Sequence, residues 1–194
     1  MKKRRKKGTC FIILGLLLIT AALLLQSYNL WDGARAEREV ASVLREWDQR
    51  TAGAAGDDYI DPNTEMPEIV IDGASYIGTV SIPCLELELP VMSQWSYPRL
   101  KKAPCRYAGS AYRGDLIVAA HNYKSHFGLL KNVAIGEDVF FTDAVGNRFH
   151  YTVSDIEQLN GTAVEEMESG DWDLTLFTCT KGGRARVTVR CTFQ

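Results

Sequence analysis

"LTLFTCTKGGRARVTVR", residues 174–190, decides how the second half of this chain folds. Two strand-like runs, 172–179 and 184–193, flank a segment with two glycines, which is the pattern of a hairpin. Side chains alternate along a strand, so Ala185, Val187, Val189, Cys191 and Phe193 fall on one face of the second run, and Arg184, Arg186, Thr188 and Arg190 on the other. With a four-residue loop at 180–183, Cys179 opposes Arg184, and Arg186 is its diagonal neighbour about 7–8 Å away, within reach of a long side chain. A loop one residue longer or shorter would send thiol and guanidinium to opposite faces, so their meeting depends on register.

Strand signals continue upstream. Residues 77–83, 85–92 and 116–120 read as strands, the second with Leu85, Leu87 and Leu89 alternating against Glu86 and Glu88. Residues 139–142 and 149–153 flank "DAVGN", whose Gly146-Asn147 marks another hairpin turn. Only 162–168 and 127–131 look helical. Seven or eight short strands in the C-terminal two thirds of a 194-residue chain predict a small, mostly antiparallel β-barrel or sandwich.

The other end of the chain is of a different kind. MKKRRKK, residues 1–7, carries six positive charges, and the formal net charge of −2 leaves −8 for the remainder. A basic run confined to the terminus, without aromatic residues interleaved, argues against nucleic-acid binding. Residues 8–31 contain no charged residue, and 10–25 are almost wholly apolar, long enough to cross a bilayer with Tyr28, Leu30 and Trp31 at the interface. A single-pass membrane anchor follows, its basic tail cytoplasmic and the rest of the chain outside by the positive-inside rule. The rival is a cleaved signal peptide ending at Ala34-Arg35-Ala36; the apolar run is longer than an ordinary signal core, and Trp31 and Asp32 intervene. Within 36–50, Val40, Val43, Leu44 and Trp47 recur at helical spacing, predicting one short amphipathic helix packed on the domain or on the membrane surface. The stretch 51–68 reads as a linker. The organisation expected is therefore 1–7 basic tail, 8–31 anchor, 32–68 helix and linker, and 69–194 folded domain.

The chemistry the hairpin suggests is nucleophilic. A positive charge beside a cysteine favours the thiolate, which is the nucleophile, and arginine can donate hydrogen bonds to an oxyanion. A proton-transfer partner comes from three histidines. His121 follows the buried-type strand "DLIVAA" at a position where a side chain can project into a cleft; His126 sits in the loop "YKSHFG", and His150 lies on the polar face of a strand. The strand-end position favours His121 over His126.

These residues resemble the sortases, membrane-anchored cysteine transpeptidases of Gram-positive bacteria. Thr175-Leu176-Phe177-Thr178-Cys179 matches the TLxTC motif, "LIVAAHN" with His121 is similar to the strand ending in the family's histidine, and "RARVTVR" to the strand carrying its arginine, for which Arg186 matches best and Arg184 and Arg190 are the neighbouring choices. The resemblance covers about residues 76–194 and implies a closed barrel of about eight strands, a Cys179, His121 and Arg186 site, and cleavage of an LPxTG-like sorting signal between its Thr and Gly. It further implies transfer of the signal's protein, a surface protein or pilin, to an amine of a cell-wall precursor or of a pilin lysine, with no metal or organic cofactor. Ala120 stands where the family often has glycine, and the short span from Val153 to Leu174 leaves little room for a long helical insertion. Papain-like and amidase folds fit worse, since there the cysteine precedes its histidine and opens a helix. The reading from another class is a membrane-tethered β-domain that binds a partner without chemistry.

The remaining cysteines carry plainer expectations: Cys10 is a packed thiol of the anchor or a lipidation site, with packing the default, Cys191 is a small core residue, and Cys84 and Cys105 are candidates for a disulfide. Tyr112, Tyr123 and Trp95 either line a pocket or pack, and packing is the default.

Overall fold

The protein is described here by a computed structural model covering residues 2–56 and 59–194, with backbone alone for 2–7. The side chains of the basic run and the Asp57-Asp58 pair of the expected linker lie outside the described residues.

Contacts divide the chain into two units, residues 1–35 and 36–194. One helix, α1 (Lys2–Thr51), contributes to both. The sequence suggests an anchor and a separate short helix, but no proline separates them, and a lone Gly33 costs only about 1 kcal/mol in a helix, too little to end one. In the first unit the apolar side chains from Phe11 to Leu25 are mostly exposed, and among the described residues α1 alone is long and apolar enough to cross a membrane. In the second unit Val40, Val43 and Trp47 are buried and Leu44 partly so, as the helical spacing predicts; this face packs on the barrel.

The strands are β1 (Ile69–Ile71), β2 (Ala74–Ile82), β3 (Leu87–Met92), β4 (Cys105–Ala108), β5 (Leu116–Ala120), β6 (Asp138–Asp143), β7 (Arg148–Asn160), β8 (Leu174–Cys179) and β9 (Ala185–Phe193). They pair in the order β2-β3-β4-β5-β8-β9-β7-β6, and β6 returns to β2, which closes an eight-stranded barrel; β1 is a short extra partner of β2. Gly78 sits at the closing seam, where an added Cβ would lie 2.4 Å from the Thr142 carbonyl oxygen and 2.6 Å from the Phe141 ring. Only glycine lets the two strands approach there.

Pairing is antiparallel except for β3–β4 and β5–β8. A single helical turn, α2 (Tyr97–Leu100), lies between β3 and β4, and the second parallel pair has a long crossover containing the β6–β7 hairpin and the helix α3 (Val164–Glu168). Two strands escape the sequence reading, β1 and β4, both too short to show alternation. The seventh strand runs past the expected Val153 to Asn160, because "SDIEQLN" pairs with β9 from Asp155↔Arg190 to Asn160↔Ala185. That extension is mostly half-buried, so it carries no apolar alternation.

Inside the barrel Val80, Leu89, Val118, Phe141, Tyr151, Leu176 and Val189 fill the core, joined by Phe127 and Leu130 from the turn after β5. A smaller cluster forms on the opposite face of β5 and β8, where Ile117, Ala119 and Phe177 meet Met167 of α3. It leads to the candidate site.

Candidate active site

β8 is paired with β9 so that Cys179 lies directly opposite Arg186, with Thr175 opposite Arg190. This corrects the register expected from sequence, in which Cys179 faced Arg184. The turn is centred one residue later. Thr180 N–H donates to the Ala185 carbonyl at 2.8 Å, Gly183 N–H donates to the Thr180 carbonyl at 2.9 Å, and Gly182 and Gly183 take φ of +90° and +70°, a conformation that favours glycine. The pairing thus moves by two residues, which preserves the face. Cys179 and Arg186 stay on one face and become directly opposite residues.

On its other edge β8 runs parallel to β5, from Leu116↔Leu174 to Ala120↔Thr178. The next positions are His121 and Cys179. The Thr178 hydroxyl donates to the Ala120 carbonyl at 2.8 Å and ties the two strand ends where these residues emerge. The paired strands therefore bring Cys179 and Arg186 to one end of the sheet, on its outer face, with His121 the residue that follows the end of the neighbouring β5.

Cys179 is exposed, and Arg186 is half-buried with its guanidinium carbon 5.6 Å from the Phe177 ring centroid. The other two candidate arginines differ. Arg184 is exposed in the turn. Arg190 is 2% exposed and fully engaged: Nε donates to Glu157 Oε1 at 2.8 Å, Nη1 to the Met167 carbonyl and Thr175 Oγ1 at 2.8 and 3.0 Å, and Nη2 to the Glu166 carbonyl at 2.6 Å. It is a strut that holds α3 onto the sheet.

The histidines separate as clearly. His121 is half-buried and stacks on Tyr123, with ring centroids 4.0 Å apart and planes at 16°. His126 is wholly buried, and burial first, then the nearness of His121, lowers its pKa to about 4, so it is neutral at ordinary pH. His150 is on the β6–β7 hairpin, its Nε2 2.8 Å from Asp138 Oδ1 and its ring stacked on Phe140.

From Phe177 an aromatic path continues outward through Tyr107 and Trp95 to Tyr97, with successive centroids 5.3, 5.5 and 5.6 Å apart. Trp95 thus packs, and so does Tyr112, which lies against Phe149 and donates its hydroxyl to Asp143 Oδ2 at 2.6 Å. All five cysteines are free; Cys84 is exposed, whereas Cys105 and Cys191 are buried. Among the described residues no group of three or more His, Cys, Asp or Glu could hold a metal ion. The Tyr123 stack and the Arg190 strut were missed from sequence. The two-residue spacing of His121 and Tyr123 hints at a shared side only while the strand continues, and β5 ends at Ala120.

Comparison with known proteins agrees with the closed barrel. The family model for the sortase domain matches residues 80–194. Sortase A of Bacillus anthracis is 22% identical over 186 residues, covering 89% of this chain and 88% of that protein. The sortase C1 structure of Streptococcus suis is 28% identical with a TM-score of 0.53, covering 61% of this chain and 73% of that one. A sortase C structure of Streptococcus pneumoniae, 22% identical, shares the fold with a TM-score of 0.57 over 81% of this chain and 88% of its own. With a closed barrel of this topology and the sortase domain matched over more than half of its length, the chain belongs to the sortase family of transpeptidases.

Proposed function

We propose that this protein cleaves an LPxTG-like sorting signal between Thr and Gly and joins the threonine carbonyl to an amine, through a thioester on Cys179. The observation that carries the reading is the convergence of three neighbouring strand ends on Cys179, Arg186 and His121.

The thiolate of Cys179 attacks the threonine carbonyl carbon, and the carbonyl electrons move onto oxygen. Arg186, across the β8–β9 pair, donates hydrogen bonds to that oxyanion or to the neighbouring peptide carbonyl. As the oxyanion collapses the C–N bond breaks, and the His121 imidazolium gives its proton to the leaving glycine amine. The acceptor amine then attacks the thioester and loses its proton to neutral His121, the C–S bond breaks, and the thiolate and imidazolium are restored. On the same face the half-buried Leu100, Tyr107, Ala108 and Leu159, packed over buried Ile117, Ala119 and Phe177, supply apolar surface for the residues preceding the scissile bond. The acceptor is an amine of a cell-wall precursor or a pilin lysine. The apolar part of α1 anchors the protein, with the basic tail in the cytoplasm and the barrel outside.

The test is the full chain in detergent micelles with a quenched-fluorescence panel of LPxTG-like peptides and a free amine, with products identified by mass. A new amide at the threonine, lost in Cys179→Ala and His121→Ala, supports the reading. No turnover, with Cys179 labelling no faster than an ordinary thiol, would instead favour a tethered domain that binds without chemistry.

A further inference from the structure

β5 ends at Ala120, so the sheet itself does not fix the imidazole of His121. The loop that follows does. The Tyr123 carbonyl accepts from the N–H groups of His126 and Gly128, at 3.0 and 2.8 Å, and Phe127 N–H donates to the His121 carbonyl at 3.3 Å. The chain is drawn so tight that a Cβ on Gly128 would lie 2.6 Å from the Tyr123 oxygen. Phe127, wholly buried, roots this loop in the barrel core. Buried His126 meets the Tyr123 ring at a steep angle, 64°, with centroids 5.3 Å apart. Tyr123 is therefore backed by His126 while it lies nearly flat against His121.

We infer that Tyr123 is a positioning residue: its ring face fixes the plane of the His121 imidazole, so that the edge bearing the nitrogens stays turned toward Cys179 and the departing amine. The inference rests on the reading of His121 as the proton carrier. A stacked neighbour covers only the ring face, and both imidazole nitrogens lie on the edge, so stacking restrains rotation without occupying the atoms that move the proton. The electron-rich face of a tyrosine also favours the imidazolium, the form that protonates the leaving amine. The titratable and charged groups near His121 include Tyr123 and His126, with Cys179 and Arg186 on the adjoining strands. Because His126 is buried neutral, it places no second positive charge behind the stack.

The experiment uses the full chain in detergent micelles, with isotope-labelled histidine. Its three imidazoles, His121, His126 and His150, are followed by NMR against pH, beside kinetics on the best peptide of the panel. In the wild type the His121 ring signals are shifted upfield by the tyrosine ring current. In Tyr123→Leu that shift is lost, the His121 pKa drops by about half a unit, and kcat falls about tenfold while KM stays within about twofold. Tyr123→Phe keeps all three near wild type. A Leu variant with unchanged kcat, shift and pKa overturns the inference, and so does a Phe variant that behaves like Leu, since the hydroxyl would then be the working group. If Tyr123→Leu does not fold, the wild-type ring-current shift and the Phe variant still decide the matter. Activity surviving in His121→Ala would remove His121 as the proton carrier, while the NMR comparison would still report whether Tyr123 holds the ring.

Discussion

Four thiols belong to the barrel unit, and what surrounds each sulfur decides which can react. Burial pushes Cys105 and Cys191 up to about 12, and burial with the Glu137 carboxylate raises Cys84, so these three hold their protons at neutral pH. Cys179 is exposed and lies opposite Arg186 across the strand pair. A small electrophile such as iodoacetamide at pH 7 is expected to label Cys179 first among the four, as read by peptide mass mapping; faster labelling of Cys84 would contradict this. Arg186→Ala is expected to lower kcat/KM by about 10²–10³-fold, the usual cost of an oxyanion donor, and Arg184→Ala to leave it within about twofold. The reverse ranking would make Arg184 the site arginine in place of Arg186. His126 adds a pH effect on stability. Its folded pKa, about 4, lies below the unfolded value near 6.5, so the unfolded chain binds the extra proton between them. Stability is full above about pH 6.5 and falls by about 3 kcal/mol as the pH drops through 4. His126→Phe should flatten the dependence of the melting temperature between pH 7 and 4.5; an unchanged slope would show that other groups set it.

The hairpin of β8 and β9 shows what alternation can and cannot deliver. Parity along "RARVTVR" is legible, and it correctly puts Arg186 on the face of Cys179. Register was not, because it depends on which glycines take positive φ, and Gly182 and Gly183 place the turn one residue later than the symmetric guess. Arg190 shares the parity of Arg186, yet no pattern in the sequence reveals that α3 lands on it. Only the long β7 and the crossover bring the Glu157 carboxylate and the Glu166 and Met167 carbonyls within 2.8 Å of its nitrogens. Removing this guanidinium would strand a carboxylate and two carbonyls. Arg190→Met is therefore expected to destabilise the protein by about 3–5 kcal/mol, measured by denaturant unfolding. Because the strut seats Met167 on Ala119 and Phe177, the same variant should raise KM for the peptide more than it lowers kcat. A fall confined to kcat would mean that α3 does not shape the peptide's surface.

The two ends of the chain differ in kind, one an apolar and mostly exposed helix long enough to cross a membrane and the other a packed barrel, and this contrast was the most legible feature of the sequence. Less legible was how far α1 serves the barrel. Periodicity identified Val40, Val43, Leu44 and Trp47 as one face but left its partner open. The structure places Val40 in the main core and Val43 and Trp47 against Ile71, Tyr76 and Met92. Burial of these two valines and one tryptophan at about 1.5–3 kcal/mol each amounts to about 6 kcal/mol, comparable with the whole stability of an ordinary domain, about 5–15 kcal/mol. Two truncations separate the roles of the helix. Residues 36–194 should stay soluble without detergent and melt within a few degrees of the full chain, whereas residues 52–194 should melt at least about 10 °C lower or aggregate on the uncovered apolar face. Equal melting temperatures for the two would mean that the helix merely rests on the barrel. A soluble 36–194 piece that keeps its transpeptidase rate would show that the apolar half of α1 sets where the reaction happens and leaves its chemistry to the barrel.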